Sequence, residues 1–126
     1  MIKEQKFYVC KHCGNMVGMI KNAGVTPVCC GEKMEEVVPN TVDAAKEKHL
    51  PVVTVEGNKV KVVVGEVEHP MTSEHSIEWI YIKTVEGAQR KVLEVKPETE
   101  FVLTDSDKVL EVYAYCNLHG LWKVTL

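Results

Sequence analysis

Val109-Leu110-Glu111-Val112-Tyr113-Ala114-Tyr115-Cys116-Asn117-Leu118-His119-Gly120-Leu121-Trp122-Lys123-Val124-Thr125-Leu126 joins a strand pattern to a ligand pattern. Leu110, Val112, Ala114 and Cys116 recur at every second position, the period of a strand with one face turned to a core. A second strand is expected over 122–126. Between the two lies Cys116-Asn117-Leu118-His119, a Cys-x-x-His spacing that suits a chelating turn. A β-fold that carries metal donors on its loops is the first expectation.

The same alternation extends upstream. Val60, Val62 and Val64 keep the two-residue period, as do Ile77, Trp79 and Tyr81. Strands are expected over 52–55, 59–67, 76–85, 90–95, 101–104 and 109–116, ahead of 122–126. Glu56-Gly57-Asn58, Glu86-Gly87 and Asp105-Ser106-Asp107 supply turn signals between them. This spacing predicts an antiparallel sandwich of immunoglobulin-like type, with a barrel as the alternative. Thr41 to Lys46 offers a capping residue and good helix formers for about one turn. It would deliver Glu47-Lys48-His49 onto a loop before the first strand.

Residues 1–37 read differently. They hold Cys10-x-x-Cys13 and, fifteen residues on, the adjacent pair Cys29-Cys30, four of the five cysteines. So short a piece cannot bury enough apolar surface to fold unaided, so a metal would supply much of its folding free energy. Val37-Val38-Pro39-Asn40 looks like its exit, because Pro39 disfavours helix in the residue before it. The expected organisation is a small four-cysteine metal domain over 1–37 and a sandwich over 38–126.

Composition excludes several classes. Among 126 residues, 45% are hydrophobic and 26% charged, ordinary for a soluble globular chain. A net charge of -3 with no basic block leaves no footprint for nucleic acid or an anionic membrane surface. Apolar runs fall far short of a membrane span, and no signal-peptide core follows Met1. The expected location is cytoplasmic. Five cysteines, two of them neighbours, make a poor disulfide framework, and in a reducing compartment read better as thiolate ligands.

Two donor sets therefore stand out. Cys10, Cys13, Cys29 and Cys30 can surround one ion tetrahedrally, provided the backbone bends sharply at Cys29-Cys30, which Gly31 permits. Zinc and iron both suit four thiolates. His12 reads as a solvated loop residue, and Met16, Met19 and Met34 as packing around the knuckle. The second set is His49, His69, His75, Cys116 and His119, all at strand ends or in loops that a sandwich can gather at one end. Zinc usually stops at four ligands, whereas four imidazoles and a thiolate suit five-coordinate iron with an open sixth position. Trp79 and Trp122 could shield the second centre, but sandwich-core packing accounts for each more simply.

Taken together, Cys10-Lys11-His12-Cys13, Cys29-Cys30, Glu47-Lys48-His49, His69-Pro70-Met71, His75 and Cys116-Asn117-Leu118-His119-Gly120 with Trp122 resemble the desulfoferrodoxins, the two-iron class of superoxide reductase. The resemblance covers essentially the whole chain. It implies two irons per chain, one in a distorted rubredoxin- or desulforedoxin-like site on Cys10, Cys13, Cys29 and Cys30. The other would be a ferrous centre with four equatorial histidines and axial Cys116. It further implies a homodimer, one-electron reduction of superoxide to hydrogen peroxide, and re-reduction by rubredoxin or a similar small donor. Lys48 would attract superoxide and hold a proton-delivering water, and Glu47 would close on the open position of the ferric site.

Two other readings compete. In an electron carrier both irons would only shuttle electrons. In a binding module a zinc knuckle would accompany uncoordinated histidines.

Overall fold

The structure is a computed structural model that describes residues 4–126. The chain divides into two compact units, one ending at Val38 and the other running Pro39–Leu126.

In the first unit β1 (Phe7–Val9) pairs antiparallel with β2 (Met16–Gly18) and β5 (Glu35–Glu36), while β3 (Val28–Cys29) pairs with β4 (Glu32–Lys33). Cys29 faces Glu32 across the second hairpin, which leaves Cys30 and Gly31 as a two-residue loop. Both have positive φ, 52° and 75°, the sign pattern that matches a tight turn to the strand twist. That is the sharp bend the adjacent cysteines require. Tyr8, Cys10 and Met34 form a small core with Met19 against it, so two of the three methionines pack there as expected.

The second unit is a two-sheet antiparallel sandwich, not a barrel. After α1 (Lys46–His49), β6 (Pro51–Glu56), β7 (Lys59–Val64) and β10 (Glu98–Val102) make one sheet in the order β10-β7-β6. β8 (Ile77–Thr84), β9 (Ala88–Val92), β11 (Val109–Cys116) and β12 (Gly120–Thr125) make the other, ordered β12-β11-β8-β9. Val60/Val62/Val64 and Val112/Ala114/Cys116 do what their period demands, whereas in β8 Ile80 and Ile82 enter the core in place of Trp79 and Tyr81, which lie against Tyr115 and Tyr113 on the other face. Val60, Val62 and Val64 from one sheet and Ile80, Ile82, Val112, Ala114 and Cys116 from the other are fully buried in one core with Ile77 and Phe101. Burying each such large side chain is worth about 1.5–3 kcal/mol.

All seven expected strands form, β11 with the expected bounds and the other six with shifted ends. β7 stops at Val64 because the following turn returns to α1, where the Val67 amide donates to the Glu47 carbonyl at 2.9 Å. β9 starts earlier, directly after the tight turn in which the Thr84 amide bonds the Gly87 carbonyl. β10 is placed by its register against β7, Glu98 opposite Val63 and Val102 opposite Lys59. The helical turn also lies later than expected. Asn40 is bonded through its side chain to both backbone groups of Lys123, which carries the chain along β12 before it can coil. His49 consequently sits on α1 and not on a loop. No helix among the described residues is long and apolar enough to cross a membrane.

Candidate metal centres

Four cysteines and a mixed histidine–cysteine group each converge to within 4.8 Å, donor atom to donor atom. In the first, the Cys13 and Cys29 sulfurs are 3.6 Å apart and those of Cys29 and Cys30 3.9 Å. Four sulfurs at 2.3 Å from one ion would stand about 3.8 Å apart, so the cage already has the size of a thiolate site. The knuckle is closed by backbone bonds from the Gly14 amide to the Cys10 carbonyl, 2.9 Å, and from the Cys10 amide to the Asn15 carbonyl, 2.8 Å. The Asn15 amide donates to Cys13 Sγ at 3.5 Å.

The thiols also need a cation. Cys10 is held down at about 6, chiefly by the Cys13 backbone amide, while Cys30 is pushed up to about 12 by hydrogen bonding with its thiol neighbours. The thiols of Cys29 and Cys30 are thus raised while Cys10 is lowered. A cation at the centre of the cage lets all four ionise. His12 is an exposed loop residue, as expected, and it also pairs with Glu32, because the β3–β4 hairpin presents that carboxylate to the first knuckle.

At the second centre, α1 supplies His49, the segment before β8 supplies His69 and His75, and the β11–β12 turn supplies Cys116 and His119. The four rings form a closed square: His49–His69 4.8 Å, His69–His75 4.7 Å, His75–His119 5.1 Å and His119–His49 4.9 Å between centroids. His49 Nε2 lies 3.2 Å from His69 Nε2 and 3.1 Å from His119 Nδ1. Adjacent imidazole nitrogens around one ion at 2.0–2.1 Å stand about 2.9 Å apart. Cys116 Sγ is 3.9 Å from His119 Nδ1 and groups with the donors of His49, His75 and His119. An offset pairing between β11 and β8, Tyr115 opposite Trp79 but Cys116 opposite Ile77, brings Cys116 to this end of the sheet.

Hydrogen bonding fixes the tautomers. His49 Nδ1 donates to the Ala45 carbonyl at 2.6 Å and His69 Nδ1 to the Pro70 carbonyl at 2.7 Å. A carbonyl can only accept, so the proton is on Nδ1 in each ring and both Nε2 atoms present lone pairs. Two lone pairs facing each other at 3.2 Å repel unless a cation lies between them. His75 Nε2 is buried with no hydrogen-bond partner, an orphan that a metal would satisfy. Burial holds His69 down at about 4 and lowers His49, so both rings are neutral and ready to ligate at pH 7. Burial raises the Cys116 thiol against the pull of the His119 and Leu118 backbone amides, so its ionisation also calls for a cation.

The sequence context of Trp122 favours core packing over shielding of the centre. Trp122 is buried, but its ring stacks on His49 at 5.1 Å and its Nε1 donates to the His119 carbonyl at 3.0 Å. Its place three residues after His119 was the available signal. Trp79 stacks on Tyr115. Lys48 is exposed, and its charge contributes to lowering His49. Glu47 is exposed and lines a groove of about 530 Å³ with Lys46, Leu50, Pro51, Val52, Glu66 and Val124. None of the five donors lines that groove.

The desulfoferrodoxin family model matches residues 41–125. A desulfoferrodoxin of Clostridium acetobutylicum is 42% identical over the full length of both chains. The chain belongs to the desulfoferrodoxin family. Among solved structures, the superoxide reductase of Treponema pallidum superposes with a TM-score of 0.83 at 48% identity, covering 98% of this chain and all of that one. The Giardia intestinalis superoxide reductase (1Fe-SOR) covers 64% of this chain and 98% of its own, at 33% identity and a TM-score of 0.55. Both donor sets of the chain fit iron, the family's metal: a thiolate cage on Cys10, Cys13, Cys29 and Cys30, and the mutually close donors of His49, His75, His119 and Cys116, which His69 joins through its Nε2 contact with His49 and its ring contact with His75.

Proposed function

We propose that the chain is a superoxide reductase. Superoxide, one electron and two protons give hydrogen peroxide, and no oxygen is formed. The observation that carries this reading is the closed square of imidazoles joined to a buried thiol, five donors where a purely structural site would use four. Iron held by His49, His69, His75, His119 and Cys116 would supply a transferable electron, and the Cys116 thiolate would make it more electron-rich.

The chain's own residues prepare this. His49 and His69 are buried and pinned by carbonyls, so they hold a fixed pair of neutral donors. His75 and His119 are half-buried and form the side nearer to solvent. Lys48, adjoining His49, attracts the superoxide anion locally and orders a water that delivers a proton. At physiological salt the Debye length is about 8 Å, so one nearby lysine outweighs the distant net charge of -3. Glu47, two residues before His49 and exposed, offers a carboxylate to the oxidised centre.

The four-cysteine iron occupies the domain over 1–37, and the reductase domain spans 38–126. An external donor such as rubredoxin returns the electron, the chain works as a homodimer, and its place is the cytoplasm.

The test is the yield of peroxide when reduced, iron-loaded protein meets superoxide without oxygen. About one peroxide per superoxide, with oxidation of the five-donor iron, is expected for a reductase. About half, with oxygen released, would mean dismutation, and no reaction would leave an electron carrier.

A further inference from the structure

Three of the four histidines are tied down in evident ways. His49 and His69 are fixed by ring bonds to carbonyls, and His119 shares a tight turn with Cys116, its carbonyl holding the Trp122 indole. His75 is different. It lies in the segment before β8, half-buried, and its Nε2 points into the protein without a hydrogen-bond partner. Its backbone is what is fixed. The His75 amide donates to Thr72 Oγ1 at 3.0 Å, and the His75 carbonyl accepts from the Thr72 amide at 2.9 Å and from Thr72 Oγ1 at 3.2 Å. These bonds stay within the segment, so they shape it without placing it.

The bonds that place it come from Asn117. Its Nδ2 donates to the Glu74 carbonyl at 2.8 Å, its Oδ1 accepts from the Ser76 amide at 3.0 Å, and its own amide donates to the Ser76 carbonyl at 3.2 Å. The three bonds bracket His75 on both sides. They originate one residue from Cys116 and two from His119.

We propose that Asn117 is a positioning residue that locks His75 in register with the Cys116–His119 turn, so that donors from two separate segments meet at one ion. Asparagine suits the task because one planar amide offers a donor and an acceptor at fixed separation. A serine or alanine there leaves the Glu74 carbonyl and the Ser76 amide to water. The inference rests on the five-donor centre proposed above and extends it to a residue that donates nothing to the metal.

The experiment uses iron-loaded full-length protein challenged with EDTA. Samples taken over time are oxidised, and EPR distinguishes the all-thiolate iron from the histidine-rich one. Asn117→Ala should release the histidine-rich iron roughly 10- to 100-fold faster, the usual range for a residue that orients a ligand, while the thiolate iron is unaffected. Asn117→Asp, which keeps the acceptor for Ser76 but not the donor for Glu74, should fall between wild type and alanine. In a His75→Ala background the Asn117→Ala change should add less than about twofold, because the ligand through which it acts is gone. An equal release rate in wild type and both Asn117 variants, or an undiminished effect in the His75→Ala background, overturns the proposal and leaves the centre standing. Failure of wild type to hold a histidine-rich iron overturns the centre and the proposal with it.

Discussion

Gly65 lies directly against the backbone of Glu47: a Cβ added to Gly65 would stand 2.6 Å from the Glu47 carbonyl oxygen and 3.0 Å from the Lys48 carbonyl carbon. The turn after β7 and the one-turn helix that carries His49 are thus in backbone contact, supported by the Val67 amide bond to the Glu47 carbonyl. Gly65→Ala should displace α1 and cost about 1–3 kcal/mol, typical of overpacking a close contact. Urea unfolding of the metal-loaded protein measures the loss. Iron should fall selectively at the five-donor centre, and full occupancy there would contradict the contact's role.

Trp122 couples two ligands, stacking on His49 and bonding the His119 carbonyl. Trp122→Phe retains most of the stacking and removes one hydrogen bond, an expected cost of about 1 kcal/mol. Trp122→Ala opens a cavity as well and should cost about 3–5 kcal/mol. Denaturant titrations of the two variants separate these contributions.

The metal-free protein should weaken in acid. Burial lowers His69 to about 4 in the folded state, against an ordinary value near 6.5. Between those values the unfolded chain binds a proton that the folded chain refuses, so stability is complete above about pH 6.5 and falls as pH drops toward 4. His49 is shifted in the same direction. Urea midpoints of metal-free wild type should therefore decline across that window, and His69→Gln should flatten the decline. An identical slope in the variant would show that other groups govern it.

Lys48 is exposed beside buried His49. Lys48→Ala should slow superoxide consumption by roughly severalfold at low salt and flatten the dependence on ionic strength, since a local cation acts on the encounter of an anion. Pulse-generated superoxide followed at several salt concentrations gives both quantities. Equal rates and equal salt slopes would remove Lys48 from the reaction.

The strands were legible because their periodicity is forced by a one-sided core: Val60, Val62 and Val64 can all be buried only as a strand. The donors were legible because thiols and imidazoles are chemically distinctive. What stayed hidden depends on contacts far apart in the chain. The position of α1 follows from Asn40 bonding to Lys123, eighty-three residues away, and the His12–Glu32 pair from a hairpin that folds back on the first knuckle. Gly65 looks like any turn glycine until Glu47 is brought against it. Trp122 met the pattern of a core residue and is one, but its neighbour in that core is a ligand.

The central claim is that five side chains from three separate segments share one iron. Anomalous diffraction at the iron edge from crystals of iron-loaded protein tests it most directly. Two peaks per chain are predicted, one among the sulfurs of Cys10, Cys13, Cys29 and Cys30, the other within bonding distance of His49, His69, His75, His119 and Cys116. A single peak at the four cysteines, or a second peak that leaves His75 or Cys116 unbound, would contradict the account.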